Sequence, residues 1–197
     1  MIAPILLFVG AVLAINGIWI YGGAAAAANG QTEEDGATSP IILGGREVGL
    51  FNLFVGSLGF ILAVTVLIQS TDEPAGSGNI AFGAFALLFA FTYLWVGANP
   101  FLNADGKTLG WFCLFVAITA AANGVRGFTT DAGHASSWST WLSTNWIVWA
   151  VLWLLFFALL SLGKQIGRLT GVLTVVVGLC TCWLPAYLLL QGIMSPV

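Results

Sequence analysis

Six long apolar stretches, separated by short polar segments, constrain this sequence more than any other feature. They fall near residues 2–21, 48–70, 80–98, 108–125, 141–162 and 169–191, and none has Asp, Glu, Lys or Arg in its middle. Each is close to the length of about 20 apolar residues that an α-helix needs to cross a bilayer. The connecting segments carry the Gly, Pro, Asn and acidic residues that are typical of turns. The sequence therefore predicts an all-α integral membrane protein, a single domain over 1–197 with six transmembrane helices.

Composition excludes a water-soluble domain of this size. Of the 197 residues, 59% are hydrophobic and only 7% are charged, whereas about a quarter of the residues in an ordinary soluble domain are charged. Five basic and eight acidic side chains cannot cover the surface of such a chain in water, so lipid must solvate its apolar surface. Five Lys and Arg side chains are also too few for a nucleic-acid partner.

The few charged residues predict the orientation of the helices. Arg46, Lys107, Lys164 and Arg168 fall in the first, third and fifth connections, and only Arg126 borders the fourth. The positive-inside rule then places the odd connections in the cytoplasm and both termini outside, in a cytoplasmic (inner) membrane. Since the first apolar stretch lacks a preceding basic segment, we expect it to be a retained helix and not a cleaved signal peptide. The acidic run at 33–35 is interpreted as a solvated loop.

The lack of charge within the spans restricts the function. Transporters coupled to protons or sodium keep ionisable or converging polar groups at membrane depth, and ion channels need carbonyl filters or charged rings. An enzyme would need a nucleophile and a base, or a metal cluster, and no His or carboxylate lies in the spans. The three cysteines are too dispersed to hold a metal. We therefore expect no enzymatic activity, no catalytic residue, no metal and no cofactor, and passive movement of a neutral solute fits best.

Polar and aromatic side chains within the spans are candidates for contact with such a solute. An Asn such as Asn16 costs a few kcal/mol when it is unpaired in lipid, so it faces either a partner helix or a wet path. Trp146, Trp149 and Trp153 share one helical face. They are either lipid-facing or interfacial residues, or one wall of a flat slot for a planar amide. His134 is the only histidine, and we expect it to be solvated in an outer connection.

Short motifs in all six spans, in the correct order, resemble those of the AmiS/UreI family of urea and amide channels. They are LLFVG (6–10) with NG (16–17), NLFVG (52–56), LFAFTYL (88–94), LFVAI (114–118), WAVLWL (149–154) and WLPA (183–186). The resemblance implies a hexameric ring in which each six-helix protomer has its own pore. It also implies conduction of urea or short-chain aliphatic amides, in functional connection with a cytoplasmic amidase or urease.

The resemblance further implies which side chains line the pore. These are Val9, Leu13, Asn16, Phe89, Thr92, Tyr93, Trp146, Trp149, Leu152 and Trp153. The position before the Gly of the last helix, where the family usually has a membrane-embedded Glu, is Val177. A carboxylate that would orient a substrate amide is therefore missing from the predicted pathway, and the substrate range is left open.

Gating is the second point at which this sequence departs from the pattern of acid-activated channels in the family. Those channels have several histidines and acids in their outer loops, whereas this chain has His134 alone. The sequence therefore predicts a passive, bidirectional channel for urea or short-chain amides, without a histidine-based acid gate. An ion-coupled small-amide transporter, or a channel for another small neutral solute such as water or ammonia, remains the alternative.

Overall fold

The computed structural model describes residues 2–29, 41–72, 74, 78–130 and 136–194, and the regular structure in these ranges is helical. The helices are α1 (Ile2–Ala28), α2 (Gly45–Gln69), α3 (Gly78–Leu102), α4 (Lys107–Thr129), α5 (Ser137–Leu160), α6 (Gly167–Val177) and α7 (Leu184–Leu190). Helices α6 and α7 are joined by a π-helical segment, Gly178–Trp183, and together they form one span, Gly167–Leu190. The described residues thus contain six helices that are long and apolar enough to cross a membrane, and the predicted six-span fold is confirmed. The acidic run at 33–35 and His134 lie outside the described residues.

Several helices extend beyond the predicted spans. Helix α1 continues to Ala28, about two turns past the predicted end at residue 21, because the alanines that follow favour a helix. Helix α3 continues past the predicted end at 98 and includes Pro100 in its last turn, where the missing N–H removes a single backbone hydrogen bond. Helix α5 begins at Ser137, ahead of the predicted start at 141, because Ser136 and Ser139 form a capping box.

The helices pack as three antiparallel pairs: α1 with the sixth span, α2 with α3, and α4 with α5. Small residues at seven-residue spacing form the contact in two of these pairs, as expected where helix backbones approach closely in a membrane. In the α2–α3 pair these residues are Gly49, Gly56 and Ala63 on α2, and Gly83, Ala90 and Gly97 on α3. In the pair between α1 and the sixth span they are Gly10 and Gly17, opposite Gly178 and Gly171.

The outer surface of the bundle carries large apolar side chains. Phe54, Ile61, Ile68, Phe115 and Ile118 are each about 60% exposed. In water such a surface would drive aggregation, whereas in a bilayer it faces lipid tails. The arrangement therefore requires a lipid environment.

Candidate functional site

A cavity of about 460 Å³ lies between α1, α3, α4, α5 and the beginning of α6. We define the odd-loop end of the bundle as the end that holds the α1–α2, α3–α4 and α5–α6 connections. The cavity reaches this end, because its wall includes Ala24 near the end of α1, Asn99 near the end of α3, Leu160 at the end of α5 and Gly167 at the beginning of α6. A volume of this size is in the range of small-molecule sites.

Five aromatic rings form a cluster at the inner end of the cavity. This aromatic cluster consists of Phe85, Phe89, Trp146, Trp149 and Trp153. The ring centroid of Phe89 lies 4.6 Å from that of Trp153 and 5.3 Å from that of Trp149, with interplanar angles of 78° and 84°. Edge-to-face packing is a favoured arrangement of aromatic pairs, and it holds each ring in a defined orientation. The cluster therefore gives the cavity a rigid, mainly apolar boundary.

The Trp149 indole is also fixed by a hydrogen bond to the sixth span. Its Nε1–H donates to Thr181 Oγ1 over 2.9 Å, and the Thr181 hydroxyl donates to the Val177 carbonyl over 2.6 Å. Thr181 belongs to the π-helical segment. Such segments insert an extra residue into a helix and are frequent at functional sites. The π-helical segment therefore presents a hydroxyl to a ring of the aromatic cluster.

Carboxamide and hydroxyl groups supply the polar part of the cavity wall. Asn16 lines the cavity and is paired with Asn52 on α2 through two reciprocal hydrogen bonds, of 2.9 and 2.7 Å. Thr92 also lines the cavity, and its hydroxyl donates to the Leu88 carbonyl over 2.7 Å. Asn99 contributes a carboxamide near the odd-loop end, and its Oδ1 is buried without a hydrogen-bond partner. The wall thus offers a few polar groups on a largely apolar surface.

Charge is missing from the cavity wall as far as the chain is described. The residues that line it include no Asp, Glu, His, Lys or Arg. In the same described ranges, no three His, Cys, Asp or Glu side chains come together in a way that could hold a metal ion. An ion pair between Lys107 and Asp105 is solvent-exposed, with side chains that are each about two-thirds exposed. The cavity is therefore suited to a neutral solute and not to an ion.

The structure brings together most of the residues that the sequence predicted for the pathway. The cavity is lined by Leu13, Asn16, Phe89, Thr92, Tyr93, Trp149, Leu152 and Trp153. Trp146 packs in the aromatic cluster without lining the cavity. Val9 is buried against a much smaller neighbouring cavity that Phe89 and Tyr93 also line. Val177 is 8% exposed, lies in the core and precedes the π-helical segment.

The cavity wall also contains residues that the sequence analysis missed. They are Trp19, Ile20, Gly23, Ala24, Val96, Asn99, Leu109, Cys113, Phe156, Leu159, Leu160 and Gly167. Many of them continue faces that were already predicted: Ile20 follows Asn16 by four residues, and Phe156 follows Trp153 by three. Helical periodicity would therefore have indicated that these faces continue toward the odd-loop end.

Comparison with known proteins defines the family. The model of the AmiS/UreI family transporters matches residues 35–193, which is most of the chain. The chain belongs to the AmiS/UreI family. It is a multi-pass membrane protein, since its six apolar helices are long enough to cross a bilayer and its relatives are channels and transporters.

Named relatives cover nearly the whole of this AmiS/UreI chain. A putative amidate substrates transporter protein of Mycolicibacterium smegmatis is 36% identical over 189 residues, which cover 95% of this chain and 75% of the relative. The acid-activated urea channel of Helicobacter pylori is 31% identical over 208 residues, which cover 96% of this chain and 97% of the relative. The cryo-EM structure of the Helicobacter pylori urea channel in its closed state matches with a TM-score of 0.78 at 28% identity, covering 99% of this chain and 100% of that one. The fold and the family therefore agree with those implied by the sequence motifs.

Proposed function

We propose that this protein is a passive, bidirectional channel for urea or short-chain aliphatic amides, which cross the membrane through the cavity. The observation that carries this proposal is a cavity wall of aromatic rings, aliphatic side chains and carboxamides, with no charged side chain among the described residues that line it. A neutral planar amide can exchange its hydrating water for these groups. An ion cannot, because burial of an unpaired charge costs far more. The names of the amidate transporter and the urea channel support this class of solute.

The proposed path follows the faces of α1, α3 and α5 and passes the sixth span. Its proposed lining is Val9, Leu13, Asn16, Phe89, Thr92, Tyr93, Trp146, Trp149, Leu152, Trp153 and Val177. Of these, Val9, Trp146 and Val177 are not in the cavity wall, so the path continues past the cavity. Val177 supplies an aliphatic surface at the position of the family's usual Glu, so this path orients an amide through carboxamides, a hydroxyl group and aromatic rings, without a carboxylate. We also propose that the channel has no histidine-based acid gate.

Orientation and assembly form the remainder of the proposal. The cations near the odd-loop end support placing that end in the cytoplasm, with both termini outside the cytoplasmic membrane. A homo-hexameric ring, with one pore in each protomer, rests on the family resemblance. A channel of this kind would exchange its solute with a cytoplasmic amidase or urease. Its relatives' names, those of transporters and channels, support a role that is not enzymatic.

Stopped-flow light scattering on proteoliposomes tests the transport activity. We expect urea, acetamide and formamide to equilibrate faster than in protein-free liposomes, in both directions and without an ion gradient. Equal rates with and without protein for all three solutes would refute the proposal. Accumulation that depends on a proton or sodium gradient would instead support an ion-coupled transporter, and selective passage of water or ammonia would support the other alternative.

A matched pair of tryptophan variants tests the route. Trp153 lines the cavity and is 6% exposed, whereas Trp111 lies on the outer surface and is 59% exposed. We expect Trp153→Ala to change the rate or the selectivity of solute flux, and Trp111→Ala to leave both unchanged. Normal flux in an assembled Trp153→Ala protein would show that this ring serves packing only.

A further inference from the structure

The carboxamides of Asn16 and Asn52 form a closed pair inside the membrane-spanning bundle. Asn16 Nδ2 donates to Asn52 Oδ1 over 2.9 Å, and Asn52 Nδ2 donates to Asn16 Oδ1 over 2.7 Å. Asn52 Nδ2 also donates to the Val48 carbonyl over 2.9 Å. Asn52 is fully buried and Asn16 is 5% exposed. The pair therefore connects α1 to α2 inside the bundle.

The two members of the pair have different surroundings. Asn16 lines the cavity, whereas Asn52 lies behind Asn16 and does not line the cavity. A carboxamide has two N–H donors and two acceptor positions on its oxygen. The donors of Asn52 are both used, by Asn16 and by Val48. Asn16 uses one donor and one acceptor position with Asn52 and keeps one of each.

The remaining groups of Asn16 match the polar groups of an amide. A solute carbonyl can accept from the second N–H of Asn16, and a solute N–H can donate to its oxygen. The reciprocal bonds also keep the Asn16 amide from rotating, because rotation of one amide alone would place donor against donor and acceptor against acceptor. Asn52 thus determines the direction in which Asn16 presents its groups without touching the solute.

We propose that Asn16 is a binding site for planar solutes that carry both a carbonyl and N–H groups, and that Asn52 is the positioning residue of that site. This inference rests on the proposed function and specifies how the cavity recognises its solute. The alternative is that the pair only connects two helices. The two cases differ in whether Asn52 affects the choice of solute.

The ratio of urea flux to thiourea flux distinguishes these cases in proteoliposomes. Both solutes are planar and have the same N–H groups, but the sulfur of thiourea is a weaker hydrogen-bond acceptor than the oxygen of urea. We expect Asn16→Leu and Asn52→Leu each to lower the urea-to-thiourea ratio by about fivefold, as the loss of one hydrogen bond predicts. The double variant should show the ratio of Asn16→Leu alone, because Asn52 acts through Asn16. Asn123→Leu on α4, which replaces an Asn away from the cavity, should keep the wild-type ratio.

Two results would overturn the inference. One is an unchanged ratio in Asn16→Leu or Asn52→Leu, with both fluxes lowered equally. The other is a double variant in which the two changes of ratio multiply. If Asn52→Leu does not assemble, as judged by size-exclusion chromatography, Asn52→Ser replaces it in the same cycle with the same two decisive outcomes. Failure of the proposed function is distinguishable, because the wild-type protein would then conduct neither solute.

Discussion

Replacing Thr181 with Val should lower solute flux, because it removes the hydroxyl that holds the Trp149 indole. The Trp149 Nε1–H donates to this hydroxyl over 2.9 Å, and valine has nearly the same shape without the oxygen. Trp149 is 4% exposed, so its N–H would remain in an apolar environment without a partner. The indole would then reorient, and a displaced ring would narrow the proposed path.

The size of the expected decrease in flux follows from the cost of leaving the buried Trp149 N–H without a partner. An unsatisfied buried donor costs about 1–3 kcal/mol, which corresponds to about a 5-fold to 150-fold loss in the population of the original ring orientation. Contacts with Phe89 and Trp146, at centroid distances of 5.3 Å each, still favour that orientation. We therefore expect the decrease in urea flux to lie near the lower end of this range, at about fivefold.

Thr174→Val is the matched control for this variant. Thr174 also lies in the sixth span, and its hydroxyl donates to the Thr170 carbonyl over 2.6 Å, as the Thr181 hydroxyl donates to Val177 over 2.6 Å. Loss of this internal bond is therefore common to both variants and cancels in the comparison. Stopped-flow flux measured at equal protein density should fall for Thr181→Val and stay near wild type for Thr174→Val. Equal flux in the two variants would refute the argument.

Two further predictions concern helix packing and pH. A Cβ at Gly56 would lie 2.8 Å from the Leu94 backbone nitrogen, so α2 and α3 would have to separate by about 0.7 Å to reach ordinary contact. We expect Gly56→Ala to cost about 1–3 kcal/mol and to lower the Tm in detergent. Gly59→Ala, whose Cβ would lie 3.6 Å from Ala90 Cβ and 3.9 Å from Ala90 Cα, should leave the Tm unchanged or raise it slightly, and equal Tm changes would contradict this. Urea flux should stay nearly constant between about pH 5 and 7.5, because the described residues that line the cavity include no histidine or carboxylate. A steep rise on acidification that His134→Ala abolishes would contradict it.

The residues that the family resemblance implied for the pathway faces of α3 and α5 lie together in the structure. Phe89, Thr92 and Tyr93 on α3, and Trp149, Leu152 and Trp153 on α5, all line the cavity. The residues on each face recur at helical spacing. They include polar and aromatic side chains, which contact with lipid alone would not require. Asn99 was missed because Asn-Pro is typical of a turn, whereas the structure keeps it within α3. A proline in the last turn costs little, so the helix continues through it.

The position of Val177 illustrates what a family comparison of the sequence leaves open. The motifs implied that this residue replaces a carboxylate in the pathway. The structure places it in the core, next to the π-helical segment that carries Thr181. No local sequence signal predicts this segment, because its geometry depends on how the sixth span packs against α1, where Gly10 lies beside the Trp183 backbone.

The sequence by itself determined that this chain crosses a membrane six times, because apolar length and missing charge act locally and leave no soluble alternative. It left two roles open for Asn16, a bond to another helix or contact with a wet path. Only the tertiary structure shows where Asn16 lies. It bonds to Asn52 on another helix and also lines the cavity, so the two roles do not exclude each other. The reason is physical, since the two residues are 36 positions apart and lie on different helices. Their contact depends on the packing of the whole bundle, which local sequence patterns do not specify.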